Sequence, residues 1–206
     1  MRCFIGLPLP GDYQRLLAGV ITEWKPVLGA CASWTKPENW HLTLKFLGET
    51  DQGHVARLSE FFGGGTGEAF VLQGRGGGFF PDPRKPRVLW VGLGKGANRT
   101  RRLAARIEEV CVELGFAREE RLFRPHLTIA RLKQPRKDHR GEACRSSRES
   151  RQSSASPWGE VLRFVETISW PEITVDRMVL WESRLSAEGP NYRPLAEWRL
   201  ATGAFG

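Results

Sequence analysis

The sequence predicts an α+β protein built from antiparallel strands and helices. Three observations lead there. Several short apolar runs alternate with a period of two, as half-buried strands do. Other segments repeat apolar residues at three- and four-residue steps, as amphipathic helices do. Hairpin-sized gaps separate several of the strands, which favours antiparallel pairing over an alternating parallel fold.

The elements follow in chain order. Residues 2–9 read as a strand that stops at Pro10-Gly11. Residues 12–28 read as a helix, with Leu16, Leu17, Val20, Ile21, Trp24, Val27 and Leu28 on one face, Asp12 as its N-cap and Pro26 threatening an early end. Trp40 to Leu47 is a strand closed by Gly48-Glu49. Asp51 is placed to cap a helix running to about Phe62, which Gly63-Gly64-Gly65 stops. A strand over 69–73 leads into a Gly/Pro-rich connection from Gly74 to Pro86, and residues 87–93 give a further strand. The clearest helix spans 98–114, with Leu103, Ile107, Val110 and Leu114 as its stripe and Gly115 as its stop. Pro125 precedes a strand reaching about Leu132. Residues 134–157 are rich in Arg, Ser, Lys and Glu and almost free of apolar side chains, so they read as a solvated loop. A short apolar segment at 158–168 and strands near 173–183 and 192–200 complete the chain.

A length of 206 residues suits one compact unit of two small lobes, residues 1–206 forming a single domain. Hydrophobic residues make up 40% of the chain, enough for a buried core. The net charge of +8 favours polyanionic partners, or else a solubilising surface with one basic loop. Cys3, Cys31, Cys111 and Cys144 form no Cys-x-x-Cys pair, so no zinc site is expected. Cys3 and Cys111 sit in apolar runs as buried thiols, and all four are expected reduced. No secretion signal or bilayer-length apolar run is visible, so a cytoplasmic protein that does not engage membranes is expected.

The chemistry lies in a repeated tripeptide. His41-Leu42-Thr43-Leu44 and His126-Leu127-Thr128-Ile129 sit 85 residues apart, each inside an apolar run and each after a strand–helix beginning. The similar order suggests an internal duplication. Strict alternation puts His41, Thr43 and Lys45 on one face, with Leu42, Leu44 and Phe46 on the other. It likewise groups His126, Thr128 and Ala130 against Leu127 and Ile129. Histidine is the side chain whose ordinary pKa lies near neutrality, so a matched pair can supply one general base and one general acid. Two threonine hydroxyls can hold phosphate oxygens. The combination points to metal-free chemistry on a phosphodiester. His54 and His139 fall in a helix and a loop without ligand spacing, and no Gly-x-Ser-x-Gly elbow is present.

The chain resembles the two-histidine (2H) phosphoesterase superfamily, in its RNA 2′,3′-cyclic phosphodiesterase branch, also called 2′-5′ RNA ligase. The resemblance rests on residues 1–8, 37–49 and 123–131, on Pro81-Asp82-Pro83-Arg84, on Val88-Leu89-Trp90 and on Gly189-Pro190-Asn191-Tyr192. It implies two similar lobes of antiparallel sheet plus helices around a central cleft, one motif per lobe. It implies hydrolysis of RNA 2′,3′-cyclic phosphate ends, or of nucleoside 2′,3′-cyclic phosphates, to 2′-phosphates without a cofactor or metal. On the family pattern His41 is the proton donor and His126 the proton acceptor, with Thr43 and Thr128 on the phosphate. Lys45 is a further candidate for the phosphate. Arg131 is another, but it needs a bend in its strand to reach it. Phe46 is a candidate for base stacking, although core packing is its simpler reading. Reverse ligation through a 2′-5′ linkage and non-catalytic RNA or nucleotide binding are the rival functions. The long Arg/Ser-rich insertion departs from the pattern. A monomer is expected.

Overall fold

In the computed structural model, residues 1–65, 67–82, 86–133, 157–186 and 189–201 are described. The expected loop at 134–157 therefore lies outside the described residues, apart from Pro157. Among the described residues, nine strands and four helices follow in the order β1 (Arg2–Pro8), α1 (Gly11–Leu28), β2 (Ala32–Trp34), β3 (His41–Glu49), α2 (Gln52–Gly63), β4 (Phe70–Phe80), β5 (Val88–Leu93), α3 (Ala97–Glu113), β6 (Leu127–Leu132), α4 (Pro157–Thr167), β7 (Glu172–Val175), β8 (Arg177–Ser186) and β9 (Gly189–Arg199). The strands form two antiparallel sheets, β3-β1-β8-β9 and β2-β6-β5-β4-β7.

The two sheets repeat one plan. Each motif strand pairs with the strand that precedes it across a helix: β3 with β1 across α1, and β6 with β5 across α3. Each helix then crosses over. α1 leaves the first sheet and packs beside β2 and α4 on the second, while α3 leaves the second sheet and packs on β3. This exchange ties both lobes into one continuous core, which includes Leu7, Leu17, Leu42, Ile107, Leu127 and Val165. No helix among the described residues is long and apolar enough to cross a membrane.

Several local expectations change. α1 starts on Pro10 with no side-chain cap, so Asp12 sits in the first turn, where its charge still favours the helix dipole. Pro26 does not end α1, which continues to Leu28. Asp51 caps α2 as expected, its carboxylate accepting from the His54 N–H. The apolar segment at 158–168 is helix α4, and the strand expected near 173–183 is two strands parted at Asp176. Cys3 and Cys111 are free and buried, but Cys31 is disulfide-bonded, against the expectation of four reduced thiols.

The Gly-rich stretch after residue 73 is strand rather than loop, because its glycines make room for indoles. A Cβ on Gly74 would lie 2.8 Å from the Trp170 ring, and one on Gly78 would lie 2.4 Å from Cζ2 of Trp90.

Each motif strand carries one extra residue just after its threonine. In β3, Gly6 pairs with Thr43 but Ile5 pairs with Lys45, leaving Leu44 as a bulge. In β6, Trp90 pairs with Thr128 but Leu89 pairs with Ala130, leaving Ile129 as a bulge. A bulge reverses which face the following residues occupy. Lys45 consequently leaves the His41 face. It is buried on the helix side, with Nζ 2.7 Å from Oε2 of Glu108 on α3 and 2.8 Å from the Ala117 carbonyl. The placement of Lys45 toward a phosphate is thus corrected. The same phase change turns Phe46 outward, 64% exposed, so its core-packing reading is corrected too.

Two predictions follow from this packing. Ala at Gly78 forces the Trp90 indole aside and lowers stability by about 1–3 kcal/mol, read as the urea midpoint. An unchanged midpoint would show that the ring moves freely. Lys45→Met strands the Glu108 carboxylate and costs about 3 kcal/mol, whereas the Lys45→Met/Glu108→Met double variant recovers most of that loss. A double variant as unstable as the single one would mean that the ion pair is not the source of the cost.

Candidate active site

The first motif strand begins at its histidine, delivered by a short 3-10 turn over Pro37–Asn39. Nδ1 of His41 lies 2.7 Å from the Asn39 carbonyl. A carbonyl only accepts, so Nδ1 carries the proton and the neutral ring keeps a bare Nε2. The Thr43 hydroxyl lies 3.0 Å from that Nε2 and can donate to it. The second motif repeats the device. Nδ1 of His126 lies 2.7 Å from the Arg124 carbonyl, again two residues back. Both imidazoles are therefore held as bases whose Nε2 is free to exchange a proton.

Aromatic rings contact each histidine, three at His41 and one at His126. Phe4 of β1 stacks on His41 with centroids 4.6 Å apart, Tyr192 of β9 meets it edge-on at 5.1 Å, and Trp181 of β8 lies at 5.5 Å. On the other side Phe80 of β4 meets His126 edge-on at 4.8 Å and stacks on Trp90 of β5. The motif strands themselves are in contact. Trp40, immediately before His41, donates its indole N–H to the Thr128 carbonyl at 2.7 Å.

The electrostatics tie the two sides together. Burial is the main cause that lowers the His41 pKa, to about 4, and the Arg131 and His126 charges lower it further. The His126 pKa is lowered too, by burial first and then by Arg131. Tyr192 also feels Arg131, which opposes the rise that burial imposes on its phenol. One guanidinium thus sits within electrostatic reach of both histidines and of Tyr192. The bulge at Ile129 supplies the bend that Arg131 required, turning it to the face of Thr128. Arg131 is exposed and has no ion-pair partner among the described residues. An uncompensated cation beside two neutral imidazoles and two hydroxyls is a site for an anion.

His41, Thr43 and Phe46 are brought onto one strand face, and Thr128 and Arg131 onto the other, with His126 leading in. Phe46 lies 6.1 Å from Phe4, at the open end of the His41 stack. Lys45 is the one site candidate left out. The sequence reasoning missed Phe4, Trp181, Phe80, Trp90 and Tyr192 as ring neighbours, and the two carbonyls as anchors. The carbonyls had a signal, since both lie two residues before a histidine in the repeated frame. Among the described residues no three His, Cys, Asp or Glu side chains converge in a way that could hold a metal ion.

The chain is 30% identical to an RNA 2′,3′-cyclic phosphodiesterase of Archaeoglobus fulgidus, across 95% of this chain and 98% of that one. It is 31% identical to an RNA 2′,3′-cyclic phosphodiesterase of Thermotoga maritima, across 98% and 97%. The fold matches the crystal structure of TT0787 of Thermus thermophilus with a TM-score of 0.74 at 23% identity, covering 99% of this chain and all of that one. It matches Escherichia coli LigT complexed with 3′-AMP with a TM-score of 0.70 at 22% identity, covering 97% of each. The model of the LigT-like phosphoesterases matches twice, over residues 7–90 and 91–192, so that each match encloses one histidine motif. Each sheet draws strands from both halves, and the motif strands meet between them; the double match over most of the chain makes this chain a member of the LigT-like phosphoesterase family.

Proposed function

We propose that this phosphoesterase opens 2′,3′-cyclic phosphates at RNA ends, leaving a 2′-phosphate and a free 3′-hydroxyl. The observation that carries the reading is the pair of imidazoles, each fixed through Nδ1 and bare at Nε2, beside the unpaired Arg131. The names of the relatives as RNA 2′,3′-cyclic phosphodiesterases support the substrate.

The step is a displacement at phosphorus. Nε2 of His126 takes a proton from water as the water oxygen bonds to phosphorus. The P–O3′ bond breaks, and Nε2–H of His41 gives its proton to the departing O3′. Each transfer is worth roughly 10²–10⁴-fold in rate. Arg131 and the hydroxyls of Thr43 and Thr128 hold the non-bridging oxygens, where negative charge builds. Phe46 offers an exposed face for a base.

The donor role needs a proton that the free protein does not keep at neutral pH, because burial lowers the His41 pKa to about 4. The bound phosphate supplies the reason to take one up, since its negative charge favours imidazolium. The consequence for pH is definite. Activity requires one ring protonated and the other neutral. Above both pKa values the acid form is lost, and below both the base form is lost. With both values lowered from 6.5, the bell in kcat/KM, which reports the free enzyme, centres below pH 6.5. The bell in kcat, which reports the complex, lies at higher pH. Coincident bells centred above pH 7 would contradict the electrostatics described.

Hydrolysis of a nucleoside 2′,3′-cyclic phosphate persists with a chelator present, and His41→Ala or His126→Ala lowers kcat by about 10²–10⁴-fold each. Phosphorus NMR of the product identifies the oxygen that retains the phosphate. Turnover that a chelator abolishes but both variants keep rejects the mechanism. The roles separate on an aryl phosphodiester, whose leaving group needs no proton: His41→Ala then costs far less than His126→Ala.

A further inference from the structure

We propose that Asn39 is a positioning residue whose side-chain amide fastens the β8–β9 hairpin over the imidazole of His41. The inference builds on the role assigned to His41 above. Its basis is a bond that the sheet order alone would not bring about. β3 and β9 are opposite edges of the four-stranded sheet. Three strand spacings separate such edges, roughly 14 Å in a flat sheet. Yet Nδ2 of Asn39, two residues before His41, donates to the Pro190 carbonyl on β9 at 2.7 Å. The end of the hairpin must therefore bend back across the site face.

The bend brings the rings with it. Pro190 pairs with Leu185 across the hairpin, and Tyr192 follows two residues later. Tyr192 meets His41 edge-on at 87° and meets Phe4 edge-on with centroids 4.9 Å apart. Trp181, on the other strand of the hairpin, stacks on Phe4 and borders the same imidazole. Asn39 thus holds His41 twice: its carbonyl takes Nδ1–H, and its amide anchors the hairpin that covers the ring. The Asn39 N–H is occupied by the Lys36 carbonyl, which closes the 3-10 turn and fixes the direction of both contacts. Any residue supplies the carbonyl, and only the side chain supplies the strap.

The charged and titratable groups facing His41 are Arg131 and His126 from the second lobe and Tyr192 from the hairpin. Phe4 and Trp181 on the first sheet are uncharged, and Arg193, beside Tyr192, is paired with Glu182. Arg131 and His126 do not depend on Asn39 for their placement. A change at Asn39 therefore acts on His41 through its cover, and burial is the largest of the effects that lower the His41 pKa.

Asn39→Leu keeps the approximate size of the side chain and removes its donor without adding a charge. Asn39→Ala removes the side chain. The histidine rings of wild type and of both variants are titrated by NMR without substrate, and kinetics are measured on a nucleoside 2′,3′-cyclic phosphate. The expected result is a His41 midpoint raised by half a unit or more toward 6.5, with the His126 midpoint unmoved. The acid limb of kcat/KM, which His41 sets as the group with the lower pKa, shifts upward with it. A His41 midpoint unchanged in both variants overturns the proposal. So does a common shift of both histidines, which marks a loosened fold rather than a lost strap. Should Asn39→Ala not fold, the uncharged Leu variant carries the test. The titration needs no turnover, so it stands apart from the outcome for the proposed reaction.

Discussion

The extra residue that follows the threonine in each motif strand is the constraint on which the site depends. A flat strand shows the same face every second residue, so a histidine and the residue five places on point opposite ways. The bulges at Leu44 and Ile129 cancel that opposition. They put Phe46 on the face of His41 and Arg131 on the face of Thr128, and they send Lys45 and Ala130 into the interior. The cation within electrostatic reach of both imidazoles, the exposed phenyl ring near the His41 stack and the buried Lys45–Glu108 pair all follow from these two insertions.

The site sets two effects against each other. Burial by aromatic rings and the Arg131 charge both press the histidines toward neutrality, so the free protein holds neutral imidazoles beside a positive group. An anion reverses the balance, because its charge offsets Arg131 and favours a proton on one ring. In the proposed reaction the protonation state that catalysis needs is therefore assembled by the substrate. The same burial acts on stability. Below pH 6.5 an unfolded chain protonates these histidines before the folded one does, so acid favours unfolding through the window down to about 4 for His41.

How far the sequence could be read follows from the range of each signal. The histidines, the threonines and the apolar faces of the strands were legible because they depend on local alternation and on an identical frame repeated 85 residues apart. Helices α2 and α3 were legible from an Asp cap and a clean apolar stripe. Lys45 was misplaced because a bulge has no local signature here: Leu-Lys-Phe alternates as well as any flat strand. Gly74 to Gly78 resembled a loop because the reason for its glycines, the indoles of Trp170 and Trp90, arrives from distant segments. The aromatic cover of His41 was hidden for a similar cause. Phe4, Trp181 and Tyr192 are far apart in the chain, and only the pairing of β1, β8 and β9 gathers them.

The repeat is nearly symmetric in backbone and unequal in side chains, and the inequality suits the ligand. Each half offers a histidine held by the carbonyl two residues before it, a threonine and a bulge. At the position five residues beyond the histidine one half has Phe46 and the other Arg131. Around the rings, His41 has three aromatic neighbours and a threonine contact, while His126 has Phe80 at its edge. A nucleotide end is equally lopsided, with a flat apolar base at one side and an anionic phosphorus at the other. Two identical halves would bind it in two orientations and so could not assign a fixed acid and a fixed base. In the proposed reaction, the phenyl ring on one strand and the guanidinium on the other would orient the ligand within a duplicated frame, so that each histidine meets the same oxygen.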